Sequence, residues 1–268
     1  MFGKSCSVVG VVHVPALPGA AGYNGFMDQC LATSIIDAMT YKEEGVDGLL
    51  IENMHDVPYL RGRVEPETVA AMAVIANAIK YECMMPIGIQ ILAGANLEAL
   101  AVAHSSDLDF IRVEGYVYAH VGDEGMHESC AAQLVRKRAQ IKAEKVKIFA
   151  DIKKKHSSHA ITSDISLTET AHAAEFFKAD GVIVSGMRTG DAPPIGEVSS
   201  VKAAVHIPVM VGSGVTPDNV ADYAKYADAV IFGSYAKYDG DWTKKVDPER
   251  VKRLVQAANR AMSKSSTR

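Results

Sequence analysis

Two short glycine-serine turns, Gly212-Ser213-Gly214 and Gly233-Ser234, carry the most specific chemistry in this sequence. Each follows at once on a short β-rich apolar run, Ile207 to Val211 and Ala229 to Phe232. Glycine lets backbone N–H groups approach an anion closely. Thr216 as a helix N-cap and Pro217 at the first helical position would aim the positive end of a helix the same way. Strand-to-helix turns use such glycines for purely steric reasons, but two turns one helix apart point to a phosphate cradle.

A second set of residues has the chemistry of proton transfer. Side chains alternate along a strand, so polar residues near strand ends can be assigned to one face. By that parity His13, Glu52, Gln90, Arg112, Glu114, Asp151 and Lys153 share an inward face over five consecutive strands. Buried carboxylates can exchange protons near neutral pH, and a lysine or arginine stabilises a developing negative charge. The competing reading is a structural ion-pair layer that plugs a barrel. Asn53 and Asp56 follow the second strand, and Ser185 and Thr189 follow the sixth. They are substrate contacts or, for Asn53 and Asp56, an Asx-type turn. Arg188 in the same loop is a candidate phosphate clamp. His156 and His159 have H-x-x-H spacing but sit on a lysine-rich loop without a committed carboxylate partner. A divalent metal such as Mg²⁺ would find its hard-oxygen ligands in Glu52, Glu114 and Asp151 instead.

The elements that must position these residues repeat with one period. Apolar strand-like runs start near 8, 48, 86, 109, 147, 181, 208 and 229. Helical periodicity fills 26–44, 65–81, 96–105, 129–144, 166–178, a stretch ending near 206, the segment after Thr216, and 249–262. Strict alternation of eight strands and eight helices predicts an α/β fold, a single (β/α)8 TIM barrel over residues 1–263 with a frayed tail at 264–268. The cradle turns then follow strands seven and eight, at the carboxyl end where barrels hold their ligands.

Composition agrees with a small-molecule protein. The 268 residues are 48% hydrophobic and 22% charged, which supplies a substantial core. A net charge of -4 without a long basic run predicts no nucleic acid and no membrane partner. Four widely spaced cysteines form no C-x-x-C pair and read as reduced thiols. The apolar start is too interrupted by His13 and prolines for a signal peptide, so the expected location is cytoplasmic.

Taken in order, "VVGVVHVPALPG", "GVDGLLIEN" with Asp56 and Pro58, "DFIRVEG", "KIFADIKKKHSSHAIT", "VIVSG" and "VGSGVTPDNV" resemble the BtpA/SgcQ family over nearly the whole chain. The resemblance implies a ribulose-phosphate-binding type of barrel. It is named partly from a cyanobacterial protein of photosystem I biogenesis and partly from a bacterial protein encoded with sugar-uptake genes. Glu114 and Lys153, where other members carry asparagine and histidine, place this chain with the sugar-operon and animal branch. The resemblance also carries over Lys155, alongside His13, Glu52, Asn53, Asp56, Arg112, Glu114, Asp151, His156, Gly212, Ser213, Gly214 and Gly233.

The expected function is an enzyme acting on a small phosphorylated metabolite, a sugar phosphate or nucleotide, by acid–base or metal-assisted chemistry. The alternative is a non-catalytic ligand-binding or assembly factor. The expected partners are a small phosphorylated molecule and, as an open option, another copy of the chain in a homo-oligomer.

Overall fold

The computed structural model describes residues 6–265. Its elements run β1 (Ser7–His13), α1 (Met27–Glu43), β2 (Gly48–Glu52), α2 (Pro66–Cys83), β3 (Ile87–Gln90), α3 (Asn96–Ser105) and β4 (Phe110–Val113). A hairpin, β5 (His120–Gly122) and β6 (Gly125–His127), leads to α4 (Ala131–Gln140), β7 (Lys147–Ile152), β8 (Ser157–Ser158), α5 (Leu167–Phe176), β9 (Gly181–Val184) and α6 (Ile195–Ala204). The chain ends in β10 (Val209–Gly212), α7 (Val220–Tyr223), β11 (Ala229–Phe232) and α8 (Pro248–Ser265).

Eight parallel strands close into a barrel in the order β1-β2-β3-β4-β7-β9-β10-β11, with β11 returning to β1. Closure leaves no edge strand, and short Val- and Ile-rich runs such as "GVIV" suit strands covered on both faces. Local signals set the helix ends. Pro66 opens α2, and a reciprocal Ser166–Glu169 capping box opens α5.

One strand face packs against the helices. The other forms an inner layer of Val9, Val11, Leu50, Phe110, Phe149, Ile183, Met210, Ala229 and Ile231. Two aromatic rings dominate this layer, Phe110 and Phe149, with centroids 5.4 Å apart in an edge contact. Gly88 and Gly181 make room for them. A Cβ built on Gly88 would lie 2.1 Å from the Phe110 ring, and one on Gly181 would lie 2.5 Å from Phe149. The inner layer is thus a packed floor beneath the polar residues at the strand ends.

Three expectations change. The segment after Thr216 is a turn followed by the four-residue α7, so the long helix expected to open at Thr216 and Pro217 is absent, and the second glycine turn runs instead into a single 3-10 turn, Ser234–Ala236, with Gly233 at its N-cap. The stretches after β4 and β7, expected as plain loops, meet in a three-stranded antiparallel sheet, β6-β5-β8, with Val121 opposite Ser158 and Gly122 opposite Ser157. Its strands have two or three residues each, too few for a period-2 pattern to register. Finally, α8 continues to Ser265, so helix replaces the first part of the expected tail, while 266–268 lie outside the described residues. No helix among the described residues is long and apolar enough to cross a membrane.

Candidate active site at the barrel mouth

Strand register sets the floor of the site. His13 lies beside Glu52, and Glu52 beside Gln90, at the carboxyl ends of β1, β2 and β3. Arg112 follows Phe110 by two residues on β4, and Asp151 follows Phe149 by two on β7, so both rise directly above the aromatic floor.

Arg112 ties the two sides together. Its Nε and Nη2 donate to the two oxygens of Asp151 at 2.8 and 2.9 Å, and its Nη1 donates to Glu52 Oε1 at 3.2 Å. A forked donor on a planar carboxylate is the strongest form of ion pair. The Asp151 side chain is fully buried, and both of its oxygens are used by Arg112. Expected as a proton exchanger or metal ligand, Asp151 is instead the group that orients Arg112.

Above this network lies a cleft with two lobes that share Glu52, Met54, Arg112, Lys155 and Thr189. One lobe, about 550 Å³, is bounded by Ser213, Gly214, Gly233 and Ser234. The other, about 950 Å³, is bounded by Gln90, Glu114, Tyr59, Leu92, Lys154 and Trp242 among others.

In the first lobe Ser213 N–H donates to Ile231 O at 3.3 Å, and Ser213 Oγ accepts from Gly190 N–H at 3.0 Å. Among the described residues, the N–H groups of Gly214 and Gly233 find no acceptor. Gly214 has φ +67, and a Cβ there would lie 2.3 Å from Ala192 N, so only glycine fits the turn. Gly212, expected in the cradle, lies behind it instead. A Cβ on Gly212 would meet Ile183 at 2.6 Å and Arg112 Nη2 at 3.3 Å, so its smallness makes space for the guanidinium.

The electrostatics of the waist are unusual. Burial raises the Glu52 carboxyl above its ordinary 4.5, against the opposing pull of Arg112 and Lys155. Burial and the neighbouring Arg112 lower the Lys155 ammonium. Among the described residues no carboxylate oxygen lies within 4 Å of Lys155 Nζ, which makes no hydrogen bond there either. His13 Nδ1 lies 3.2 Å from the Trp242 carbonyl, which can only accept, so the proton sits on Nδ1 and Nε2 is left as an acceptor. Burial first, and Lys237 second, lower His13 to about 3, so it is neutral at physiological pH.

The remaining candidates separate into rim, scaffold and neighbouring pocket. His156 is exposed, and its Nε2 takes Thr189 N–H at 3.1 Å with Thr189 Oγ1 at 2.9 Å, which closes one rim of the cleft. Asn53 and Asp56 bind each other at 2.8 Å, while Asp56 accepts Leu17 N–H and Asn53 accepts Leu92 N–H. They knit three loops and line a separate pocket beside the two-lobed cleft. Ser185 also lies off the cleft, with its buried Oγ unpartnered, and Arg188 is exposed outside it. Lys153, assigned by parity to the mouth, faces a different pocket beside Gly115 and His120. The reason is that β7 ends at Ile152 and Lys153 has φ 46, which breaks the alternation.

That break transfers the roles of the lysine run. Lys154 is buried and reaches Glu114 Oε2 at 3.2 Å and Glu124 Oε2 at 3.8 Å, which pins the hairpin over the mouth. Lys155, reached in the sequence only through the family resemblance, enters the cleft. Trp242, Tyr59 and Met54 were not singled out at all. The chain's single tryptophan, in a polar loop after the last barrel strand, was the one available signal. The carboxylates named for a metal are engaged by the chain's own cations, Glu52 and Asp151 by Arg112 and Glu114 by Lys154. Among the described residues no group of three or more His, Cys, Asp or Glu side chains is placed to hold a metal ion.

Two buried histidines give a pH dependence. His120, stacked on His127 at 5.0 Å, is lowered to about 4 by burial first and by Lys154 second. His13 is lowered to about 3. Both refuse a proton that the unfolded chain accepts near 6.5, so their stabilising effect is complete above about pH 6.5 and is lost as pH falls towards 4. Glu52, raised from 4.5, acts in the opposite sense. The urea midpoint should drop between pH 6.5 and 4, and His120→Asn should flatten that drop if it is measured at fixed ionic strength.

Residues 4–260 match the model of the BtpA family. The chain belongs to the BtpA family. This BtpA-family chain is 44% identical over 257 residues to an uncharacterized mitochondrial protein of Caenorhabditis elegans, covering 94% of this chain and 92% of the relative. It is 33% identical over 251 residues to the photosystem I biogenesis protein BtpA of Synechocystis, covering 93% and 87%. Among solved structures it resembles thiamine phosphate pyrophosphorylase from Pyrococcus furiosus, with a TM-score of 0.59 at 14% identity over 97% of this chain and 98% of the other. It also resembles (S)-3-O-geranylgeranylglyceryl phosphate synthase from Thermoplasma acidophilum, solved with sn-glycerol-1-phosphate, with a TM-score of 0.58 at 15% identity over 95% and 94%. At those identities the likeness establishes the barrel fold of this BtpA-family chain and nothing finer.

Proposed function

We propose that this BtpA-family barrel is an enzyme acting on a small phosphorylated metabolite by acid–base chemistry. The observation that carries the reading is the pair of N–H groups, Gly214 and Gly233, that find no acceptor among the described residues, in the same cleft as buried Glu52 and half-buried Lys155. The cradle holds the phosphoryl group through these N–H groups and the Ser213 and Ser234 side chains. Glu52, its proton affinity raised by burial, exchanges a proton with the bound molecule, and Arg112, held rigid by Asp151, stabilises the negative charge that develops. Fold analogy supports the choice of ligand, since the two barrels named above carry a phosphate ester in their names.

Trp242 lies at the edge of the second lobe and is the chain's single tryptophan, so its fluorescence reports ligand entry. Titration with ribose 5-phosphate should give saturable quenching. Ser234→Asp, which sets a carboxylate in the cradle without the backbone overlap expected at Gly214, should weaken binding at least about tenfold with an unchanged melting temperature. Equal affinity in the two proteins would remove the cradle assignment.

The name of the Synechocystis relative favours a second reading, in which the barrel serves assembly rather than catalysis. Glu52→Gln separates the two. It abolishes the cellular role of an enzyme, whereas an assembly factor complements a deletion strain without that carboxylate.

A further inference from the structure

The phosphate-ester reading leaves one group without a partner. Lys155 is a cation at the waist of the cleft, lining both lobes, and among the described residues no carboxylate lies within salt-bridge distance of its Nζ. The neighbouring cations differ in this respect. Arg112 is held by Asp151 and Glu52, and Lys154 by Glu114 and Glu124. A lysine kept only for its charge would be expected among these carboxylates, as Lys154 is. Burial and the adjacent guanidinium also favour its uncharged form, in which the nitrogen lone pair is available.

Glu52 bounds the same two lobes. Its Oε1 is fixed by Arg112 at 3.2 Å, while Oε2 makes no hydrogen bond among the described residues. The cleft therefore sets a phosphate cradle, an amine and a carboxyl group around one space. Those are the parts needed to join an amine to a carbonyl carbon.

We propose that Lys155 forms an imine with the carbonyl carbon of a phosphorylated aldehyde or ketone whose phosphoryl group occupies the cradle. The inference rests on the phosphate-ester reading of the cleft and adds to it the functional group that reacts. The Lys155 nitrogen attacks the carbonyl carbon, forming a C–N bond, and the carbonyl oxygen takes a proton from Glu52 and becomes a hydroxyl. The added nitrogen releases a proton, which restores protonated Glu52. The hydroxyl then leaves as water with a proton from Glu52, and the nitrogen lone pair completes the C=N bond. No oxidant or reductant takes part. The resulting iminium withdraws electrons from the neighbouring carbon, which eases removal of a proton or cleavage of a carbon–carbon bond there.

Borohydride reduces an imine to a secondary amine and so fixes the adduct for mass analysis. Dihydroxyacetone phosphate is the probe, added to the full chain with sodium borohydride, and peptides are mapped for wild type, Lys155→Arg and Lys155→Met. Binding of the same ester is followed in parallel through Trp242 fluorescence. The expected result is one reduced adduct, on Lys155, suppressed by excess inorganic phosphate. Lys155→Arg should bind the ester but form no adduct, because arginine keeps the charge and loses the nucleophile. Binding by wild type without an adduct on Lys155 would overturn the imine and leave the phosphate reading standing. Labelling spread over surface lysines, equal in wild type and Lys155→Arg, would do the same. Failure of the ester to bind wild type would overturn the phosphate reading and the imine with it.

Discussion

Arg112→Met is expected to destabilise the protein by about 3–5 kcal/mol, the effect of removing one partner from a buried ion pair. The arginine is the only cation within ion-pair distance of Asp151 among the described residues, and the Asp151 side chain has no exposed surface. Without Arg112 the buried Asp151 carboxylate loses both of its donors, and Glu52 loses its fixed donor as well. Phe110 and Phe149 close the floor below, so water cannot replace the guanidinium from that side. Guanidinium unfolding followed by circular dichroism should show a lower midpoint at an unchanged slope. The double variant Arg112→Met/Asp151→Asn should recover part of the loss, since it removes the orphaned charge. A full loss in the double variant would mean that the cost comes from guanidinium packing rather than from the unpaired carboxylate.

Gly88→Val is expected to cost about 3 kcal/mol or more, at the upper end of what overpacking does to a core. The first carbon of the new side chain would already lie 2.1 Å from the Phe110 ring, and that ring is held by Phe149 at 5.4 Å. The floor can yield only by pushing Phe110 upward into Arg112 or sideways into the strands. Thermal melting should show the drop, and Phe110→Ala in the Gly88→Val background should raise the melting temperature again by vacating the space. Gly196→Ala, in a helix where an added carbon meets nothing within 4 Å, is the matched control and should be neutral or stabilising by up to about 1 kcal/mol.

The barrel was legible because its signals are local and repeated. A β-branched run such as "GVIV" can hardly be anything but a doubly covered strand, and eight such runs alternating with helical periods allow few architectures. Parity along a strand was equally reliable while the strand lasted. It placed Glu52 and Arg112 on the inner face, where the structure has them above Leu50 and Phe110. It failed at Lys153, one residue past the end of β7, where a positive φ turned the chain and brought Lys155 into the cleft. No residue type in "DIKKKH" announces that turn. The fate of the carboxylates was also invisible in one dimension. Asp151 and Glu114 look equivalent at their strand ends, yet Asp151 is taken by Arg112 and Glu114 by Lys154.

By itself, then, the sequence determined the barrel, the two glycine turns after its last strands and the inward parity of Glu52 and Arg112, because each depends on residues within a few positions of one another. The tertiary structure alone decided which charges pair and which remain free. It turned Asn53 and Asp56 into scaffold, laid a small sheet beside the mouth and left Lys155 unpaired between the lobes. Those outcomes depend on distances between residues far apart in the chain, such as Arg112 and Glu52. Only the closure of the barrel brings those residues together.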